Sequence, residues 1–356
     1  MRYSFKQKIG VLLFDWLKYE IKLNEIVKGH SYHPAWIEIC NRAECLEMAP
    51  QNQGVRCLWK WTSELHAAKV FPSFGLRLMR RALHDWPIQF RNEPDLNSDN
   101  IEISFIIGHK GISRLPNLLS VLKTIAAQQD VAFECIVVEQ SEQPEIKQHV
   151  PEWVRYIHTL PKYAAMPYSR SYAFNAGARI AKGTLLILHD NDMLIPYNYA
   201  AQLIEKHNQG YEVINLKRYI FYMNQGNSDK ITSFSKIDLR NAPETIIQNL
   251  EAGGSIAITK QAYFNIGGFD ESFIGWGGED NEFWERAQNC SVWPFTYLPL
   301  VHLWHTPQVG KVNNKNNNID LYQELSAIPI GQRIKELKSR NCGNIQIPDT
   351  PNDNQL

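Results

Sequence analysis

The sequence predicts an α/β fold: a mostly parallel sheet with helices on both faces, preceded by a helical amino-terminal region. Three observations carry this. Apolar runs of strand length, Ile101 to Ile107, Cys135 to Val138 and Leu185 to Leu188, alternate with helical stretches at Leu115 to Gln129 and Tyr172 to Ala181, the βαβαβ rhythm of parallel pairing. The first hundred residues instead place apolar side chains at steps of three and four. The chain of 356 residues is long enough for one large domain with an appendage, or for two.

Taken in order, Phe5, Ile9, Leu12, Trp16, Tyr19, Leu23 and Ile26 line one face of a helix whose opposite face is rich in lysine. Leu76 to Leu83 forms a second apolar stripe flanked by arginines, Pro87 ends it, and Asn92 to Asn100 reads as a linker. The basic stripes are either a solvated face over a core or a dock for anionic membrane lipid. These boundaries divide the chain into residues 1–98, helical, a recognition or membrane-surface region; 99–310, the α/β domain; and 311–356, a mobile loop and a carboxyl-terminal helix near Leu321 to Leu337 with a frayed tail from Asp349.

Composition excludes several classes. Lysine plus arginine and aspartate plus glutamate both number 37, so no basic surplus exists for nucleic acid, and 11% aromatic residues with ten tryptophans argue against disorder. No apolar run approaches the roughly 18 residues of a spanning helix, because Asp15 interrupts Val11-Leu12-Leu13-Phe14. The six cysteines form no CxxC pair, which favours reduced thiols and a cytoplasmic protein, with peripheral contact at the inner face of the plasma membrane if the basic stripes meet lipid. Cys40, Cys45 and Cys57, near His30, His33 and His66, fit no tetrahedral zinc spacing.

In parallel sheets ligands bind beyond the carboxyl ends of strands, here Gly108 to Arg114, Glu139 to Ser141 and Asp190 to Asp192. Asp190 and Asp192, one residue apart directly after an apolar strand, offer the hard oxygens that Mg²⁺ or Mn²⁺ prefers; at other places such a pair merely shapes a turn. Downstream, Ile266 to Phe283 holds five glycines and the cluster Trp276-Gly277-Gly278-Glu279-Asp280, where backbone lies close to a ligand and the two acids open a helix. An EF-hand is excluded, since Ile274 occupies an oxygen-ligand position and no glutamate closes the loop. A general base beside a glycine-lined pocket fits better.

The run GGFDESFIGWGGEDNEFWER resembles the carboxyl-terminal signature of the beta-1,4-galactosyltransferase superfamily and of related chondroitin-type and polypeptide-N-acetylgalactosaminyl enzymes. Ser104 to Arg114, Val137 to Ser141, Ser169 to Gly177 and Leu188 to Asp192 are similar to the successive nucleotide-sugar motifs of GT-A, family-2-type glycosyltransferases, in the family's order over about residues 101–306. The resemblance implies a GT-A fold and a metal-dependent, inverting transfer of a hexose or N-acetylhexosamine, galactose or GalNAc favoured, from a UDP-sugar. The acceptor would be a polysaccharide or other glycan, a lipid-linked oligosaccharide or a peptide.

It further implies Asp280 as catalytic base, Glu279 as acceptor contact, and Asp192 as metal ligand, with Asp190 nearer the ribose. His305 matches the family's histidine ligand, and His302 stands where the family has methionine; imidazole suits Mn²⁺ better than Mg²⁺. Around the nucleotide, Glu139 and Ser141 offer oxygens to ribose or base, Arg114 and Arg170 balance phosphate, and Asn175 suits a uracil edge. Trp276, Gly277, Gly278 and Gly254 face donor or acceptor sugar. Thr306 to Asn318 sits where the family has a closing lid. Two rival readings are a nucleotidyltransferase or pyrophosphorylase, for which Gly108-His109-Lys110-Gly111 is a thin phosphate grip, and a non-catalytic glycan-binding module, which would need neither Asp192 with Asp280 nor a histidine pair.

Overall fold

The computed structural model describes residues 4–28, 39–41, 44–48, 55–58, 64–95, 100–248, 251–293, 298–306 and 317–344. Helix α1 (Phe5–Val11) starts with a capping box, Ser4 and Gln7 each receiving the other's backbone N–H. One π turn, Leu12–Trp16, joins it to α2 (Leu17–Lys28). The single apolar face expected here is not what packs. Val11, Tyr19 and Leu23 are buried, whereas Phe5, Ile9 and Leu12 are exposed, because burial recurs every fourth residue through the π turn. The amino-terminal region is also not wholly helical: β1 (Cys45–Met48) and β2 (Val55–Leu58) pair antiparallel before α3 (His66–Val70) and α4 (Pro72–Asp85). Their alternating, β-compatible residues carry no helical period.

The main sheet follows. Strands β3 (Ile103–His109), β4 (Phe133–Gln140), β5 (Arg155–Thr159) and β6 (Leu185–His189) are parallel, with helices α5 (Leu115–Ala126) and α6 (Arg170–Ile180) between them. After β7 (Met193–Leu194) and α7 (Tyr199–Asn208) come β8 (Val213–Ile214), β9 (Lys217–Tyr222), α8 (Gln225–Phe234), β10 (Thr245–Gln248), β11 (Ser255–Thr259) and α9 (Lys260–Asn265). Helix α10 (Glu279–Ala287), β12 (Val292–Trp293), β13 (Leu298–His302), α11 (Asn317–Ser326) and α12 (Ile330–Ser339) complete the chain. The order of the seven-stranded sheet is β12-β8-β11-β6-β3-β4-β5, parallel except at β11. The mostly parallel α/β fold predicted from the strand and helix rhythm is therefore present.

A second sheet, β10-β9-β13-β7, was not foreseen. It matters because it leaves the main sheet at the end of β6 and carries the site's second wall. One continuous apolar core joins it to α2, α3, α4 and one face of the main sheet. Polar ties reinforce the junction: Arg218 and Tyr219 of β9 both donate to the Ile39 carbonyl, and Gln248 donates to Glu44. The amino-terminal region thus packs into the same core as the sheets.

Two expectations about the tail change. The proposed lid spans Thr306 to Asn318, of which residues 307–316 lie outside the described residues, as does the tail from Asp349. Asn317 and Asn318, read as part of a mobile polar stretch, open α11 instead, and the buried Asn318 amide donates to the Ile274 carbonyl. The single helix expected near Leu321 to Leu337 is two, broken at Pro329, which has no N–H for a continuing ladder.

Candidate active site

The site is built where β6 ends. Apolar residues Leu185 to Leu188 drive the strand into the core, and Asp190-Asn191-Asp192 turns the chain out of the main sheet into β7. Strand β7 pairs antiparallel with β13, Met193 opposite His302 and Leu194 opposite Val301, and Leu303 N–H donates to the Asp192 carbonyl. This register brings His302 and His305 to Asp192. His305 Nε2 lies 3.2 Å from Asp192 Oδ2 and His302 Nε2 lies 3.7 Å from Oδ1. Ligating atoms of the three all fall within 4.8 Å of one another, and no other such group of His, Cys, Asp or Glu occurs among the described residues.

One carboxylate and two imidazoles form a donor set suited to Mn²⁺. The His305 Nδ1 lies 2.9 Å from the Thr306 carbonyl, and Nε2 is the ring nitrogen set 3.2 Å from the Asp192 carboxylate. Tyr222 stacks on His302, ring centroids 4.1 Å apart and planes 18° from parallel, which fixes that imidazole's plane. Arg114 offsets the carboxylate charge, with Nη1 3.4 Å from Asp192 and Nη2 2.9 Å from His305 Nδ1.

The turn itself is locked by two histidines that sequence reasoning did not single out as site residues. His189 donates from Nε2 to the Met193 carbonyl and accepts at Nδ1 from Ser255 Oγ, itself bonded to Tyr199. His109, at the end of β3, donates to the Gly111 carbonyl and accepts from the Asn191 amide. Burial pushes both imidazoles down to about 4, so each stays neutral and keeps the one donor and one acceptor its role needs. Single histidines at strand ends give no periodic signal, which hides this function in the sequence.

A second acidic group faces the turn. Gly277 and Gly278 have φ of 102° and 85°, and a Cβ on Gly278 would lie 2.7 Å from the Asn318 carbonyl oxygen, so this approach to α10 demands glycine. Glu279 and Asp280 then sit in the first turn of α10, where the helix dipole favours their charge. Arg170, first residue of α6 behind its Ser169 cap, donates to Asp190 at 2.7 Å and to Asp280, with Glu279 4.0 Å away. Its guanidinium lies over the Phe174 ring at 4.6 Å, and its buried Nη2 has no acceptor among the described residues. Burial pushes the Asp190 carboxyl up to about 6 against the pull of Arg170.

Glu279 is buried, with Oε2 lacking a donor among the described residues, and burial followed by the Asp280 charge pushes its carboxyl up to about 7. The folded state therefore binds more protons than the unfolded chain between the ordinary glutamate value and about 7, and stability falls as pH rises through that window. Glu279→Gln should raise the melting temperature at pH 8, by about 1–2 kcal/mol in stability, and leave it unchanged at pH 4, where both states are protonated. Melting curves at the two pH values check this; equal shifts at both would remove ionisation as the cause.

Gly254 lies against the same turn. Asp190 N–H donates to its carbonyl, and its φ of 83° favours glycine there. Lys217 underpins the segment by donating to the Glu251 and Ser255 carbonyls at 2.9 and 2.5 Å; burial lowers its ammonium to about 7. Trp276 is partly exposed on the glycine loop beside Asp280's helix.

Three expected nucleotide contacts are corrected. Glu139 is fully buried and accepts from Ser141, Tyr156 and the N–H groups of Glu145 and Ile146, and Ser141 donates within the same knot. Asn175 donates to the Phe269 carbonyl and Glu271 and accepts from Tyr263 and the Phe269 N–H, so all four of its hydrogen-bonding positions are filled and none faces a uracil edge. These residues brace α6 and β4 from below. Asn175→Ala should cost on the order of 3 kcal/mol in a denaturant titration, because buried partners lose their bonds together.

The α/β sheet, the DxD turn, the histidine pair and the Gly-Gly-Glu-Asp helix start are the features on which the resemblance to glycosyltransferases rests. Residues 242–299 match the family model described as the N-terminal domain of galactosyltransferase. The chain is 35% identical to the chondroitin synthase of Escherichia coli over 24% of this chain and 13% of that protein. It is 24% identical to the hyaluronan synthase of Pasteurella multocida over 59% of this chain and 26% of that one. The chain thus spans about a quarter or less of these relatives. A solved Drosophila β1,4-galactosyltransferase 7 in complex with manganese, UDP-Gal and xylobiose covers 62% of this chain and 69% of its own, at 14% identity and a TM-score of 0.32. The kinship with galactosyltransferases and family-2-type synthases implied by the motifs is borne out.

Proposed function

We propose that this chain is a metal-dependent, inverting glycosyltransferase that moves a hexose or N-acetylhexosamine, of galactose or GalNAc type, from a UDP-sugar to a hydroxyl of a glycan acceptor. The observation that carries the reading is the convergence of Asp192, His302 and His305 on one wall with Asp280 and Glu279 on the other, Arg170 spanning the two. The carboxylate and imidazoles would hold Mn²⁺, or less readily Mg²⁺, which when bound supplies charge stabilisation to the leaving diphosphate. Arg114 and Arg170, whose Nη2 has no acceptor among the described residues, add positive charge where that diphosphate develops its own.

Asp280 is the base. Its side chain is about a third exposed at a helix start, open to an acceptor hydroxyl, while Glu279 behind it is buried. Asp280 takes the hydroxyl proton as the oxygen attacks the anomeric carbon from the face opposite the nucleotide; the glycosidic bond to phosphate breaks and configuration inverts. A single base on that side suits single displacement. Glu279, with a carboxyl near 7, orients the acceptor as donor or acceptor of a hydrogen bond. Trp276, exposed on the glycine loop, offers the sugar an aromatic face.

Calorimetric titration of a panel of UDP- and GDP-sugars, with and without Mn²⁺, tests this. Binding of a UDP-sugar only with metal is the expected result. Failure of every nucleotide sugar to bind would instead favour a non-catalytic glycan-binding role.

A further inference from the structure

The amino-terminal helix carries an apolar stripe on the side away from the core. Val11, Asp15, Tyr19 and Leu23, four apart, face inward. Phe5, Ile9, Leu13, Leu17 and Ile21, also four apart, face outward, and Phe5, Leu13 and Leu17 are 79%, 70% and 69% exposed. In a regular α-helix, positions four apart drift by about 40° per step, so neither row would stay on one side over this length. The wider π turn at Leu12–Trp16 takes back part of that drift and keeps both rows straight. Leu12 and Phe14 widen the outward patch, giving seven large exposed apolar residues within four or five turns.

Charge points to the occupant. Residues 1–28 hold six basic residues, Arg2, Lys6, Lys8, Lys18, Lys22 and Lys28, against three acidic ones, Asp15, Glu20 and Glu25. Asp15 is buried and Glu20 is paired with Arg77 of α4 at 2.5 Å, whereas Lys6 and Lys8 are exposed beside the stripe. No described helix is long and apolar enough to cross a membrane. An exposed apolar row bordered by the exposed Lys6 and Lys8 is the arrangement of a helix that lies in a lipid interface.

We propose that α1, the π turn and α2 form an in-plane dock for an anionic lipid bilayer, with Phe5, Ile9, Leu13, Leu17 and Ile21 entering the acyl boundary and Lys6 and Lys8 meeting the headgroups. The dock is independent of the site chemistry and would hold the enzyme at the surface that carries its acceptor or product.

The test is flotation of the full chain with vesicles of phosphatidylcholine alone or mixed with phosphatidylglycerol, alongside Leu13→Glu/Leu17→Glu and Lys6→Glu/Lys8→Glu variants. Their side chains are exposed, and circular dichroism checks that each variant folds. The wild type should float with the anionic vesicles only, and both variants should lose about tenfold or more in apparent affinity. Wild type left in the soluble fraction, or a leucine variant that floats equally well, overturns the proposal. So does a wild-type dimer in sedimentation that the leucine variant abolishes without any vesicle binding, since the stripe would then serve a second copy. Nucleotide-sugar affinity should be the same in all variants, separating this outcome from that of the site.

Discussion

Asp280→Asn is expected to lower the rate of sugar transfer by about 10²–10⁴-fold, the usual worth of a positioned general base, while donor affinity stays nearly unchanged. The amide keeps the volume and can still accept from Arg170, so the bridge from Asp190 through Arg170 to the start of α10 persists in weakened form. What it cannot do is take a proton. Turnover measured with saturating donor and acceptor, beside calorimetry of the donor alone, separates the two effects. If donor binding disappears together with turnover, Asp280 holds the site together and another group is the base.

The second large effect is expected at Asp192. Asp192→Ala removes the one carboxylate from a cluster whose other members are imidazoles, and it strips the charge that Arg114 offsets. Manganese affinity should fall by more than the roughly 10–100-fold that loss of an outer partner alone costs, and metal-dependent nucleotide binding should vanish with it. Direct Mn²⁺ titration by electron paramagnetic resonance is the check, and manganese stimulation equal to wild type would rule the ligand role out. The variant should remain folded, because the turn is held by His189, His109 and backbone bonds to Gly254 and Leu303 rather than by the Asp192 side chain.

Much of this arrangement was legible in the sequence, for identifiable reasons. Leu185 to Leu188 is an uninterrupted apolar run of strand length, so the position of Asp190 and Asp192 at its end followed from local pattern alone. Glu279 and Asp280 followed from paired glycines before a helical stretch. The histidines at i and i+3 were visible as a pair, although only the β7–β13 register shows that they meet Asp192. Glu139, Ser141 and Asn175 were misread because a polar side chain near a strand end or on a helix can face a ligand or its own scaffold, and sequence does not record direction. Here Glu139 and Asn175 have partners, Tyr156 and Tyr263 with the Phe269 backbone, that only tertiary packing supplies, and Ser141 bonds within its own turn.

The amino-terminal helix shows the same division. Its apolar residues predict a helix, yet Phe5, Ile9 and Leu12 do not share one face with the buried Tyr19 and Leu23, because one π turn rotates the later residues relative to the earlier ones and a different row meets the core. The sequence by itself determined the α/β rhythm, the strand-end acids and the glycine-led acidic helix, since each depends on neighbours within a few residues. The tertiary structure alone decided the second sheet, the meeting of Asp192 with His302 and His305, the Arg170 bridge and the outward stripe. These depend on strand register and helix rotation, which are set by packing between residues far apart in the chain.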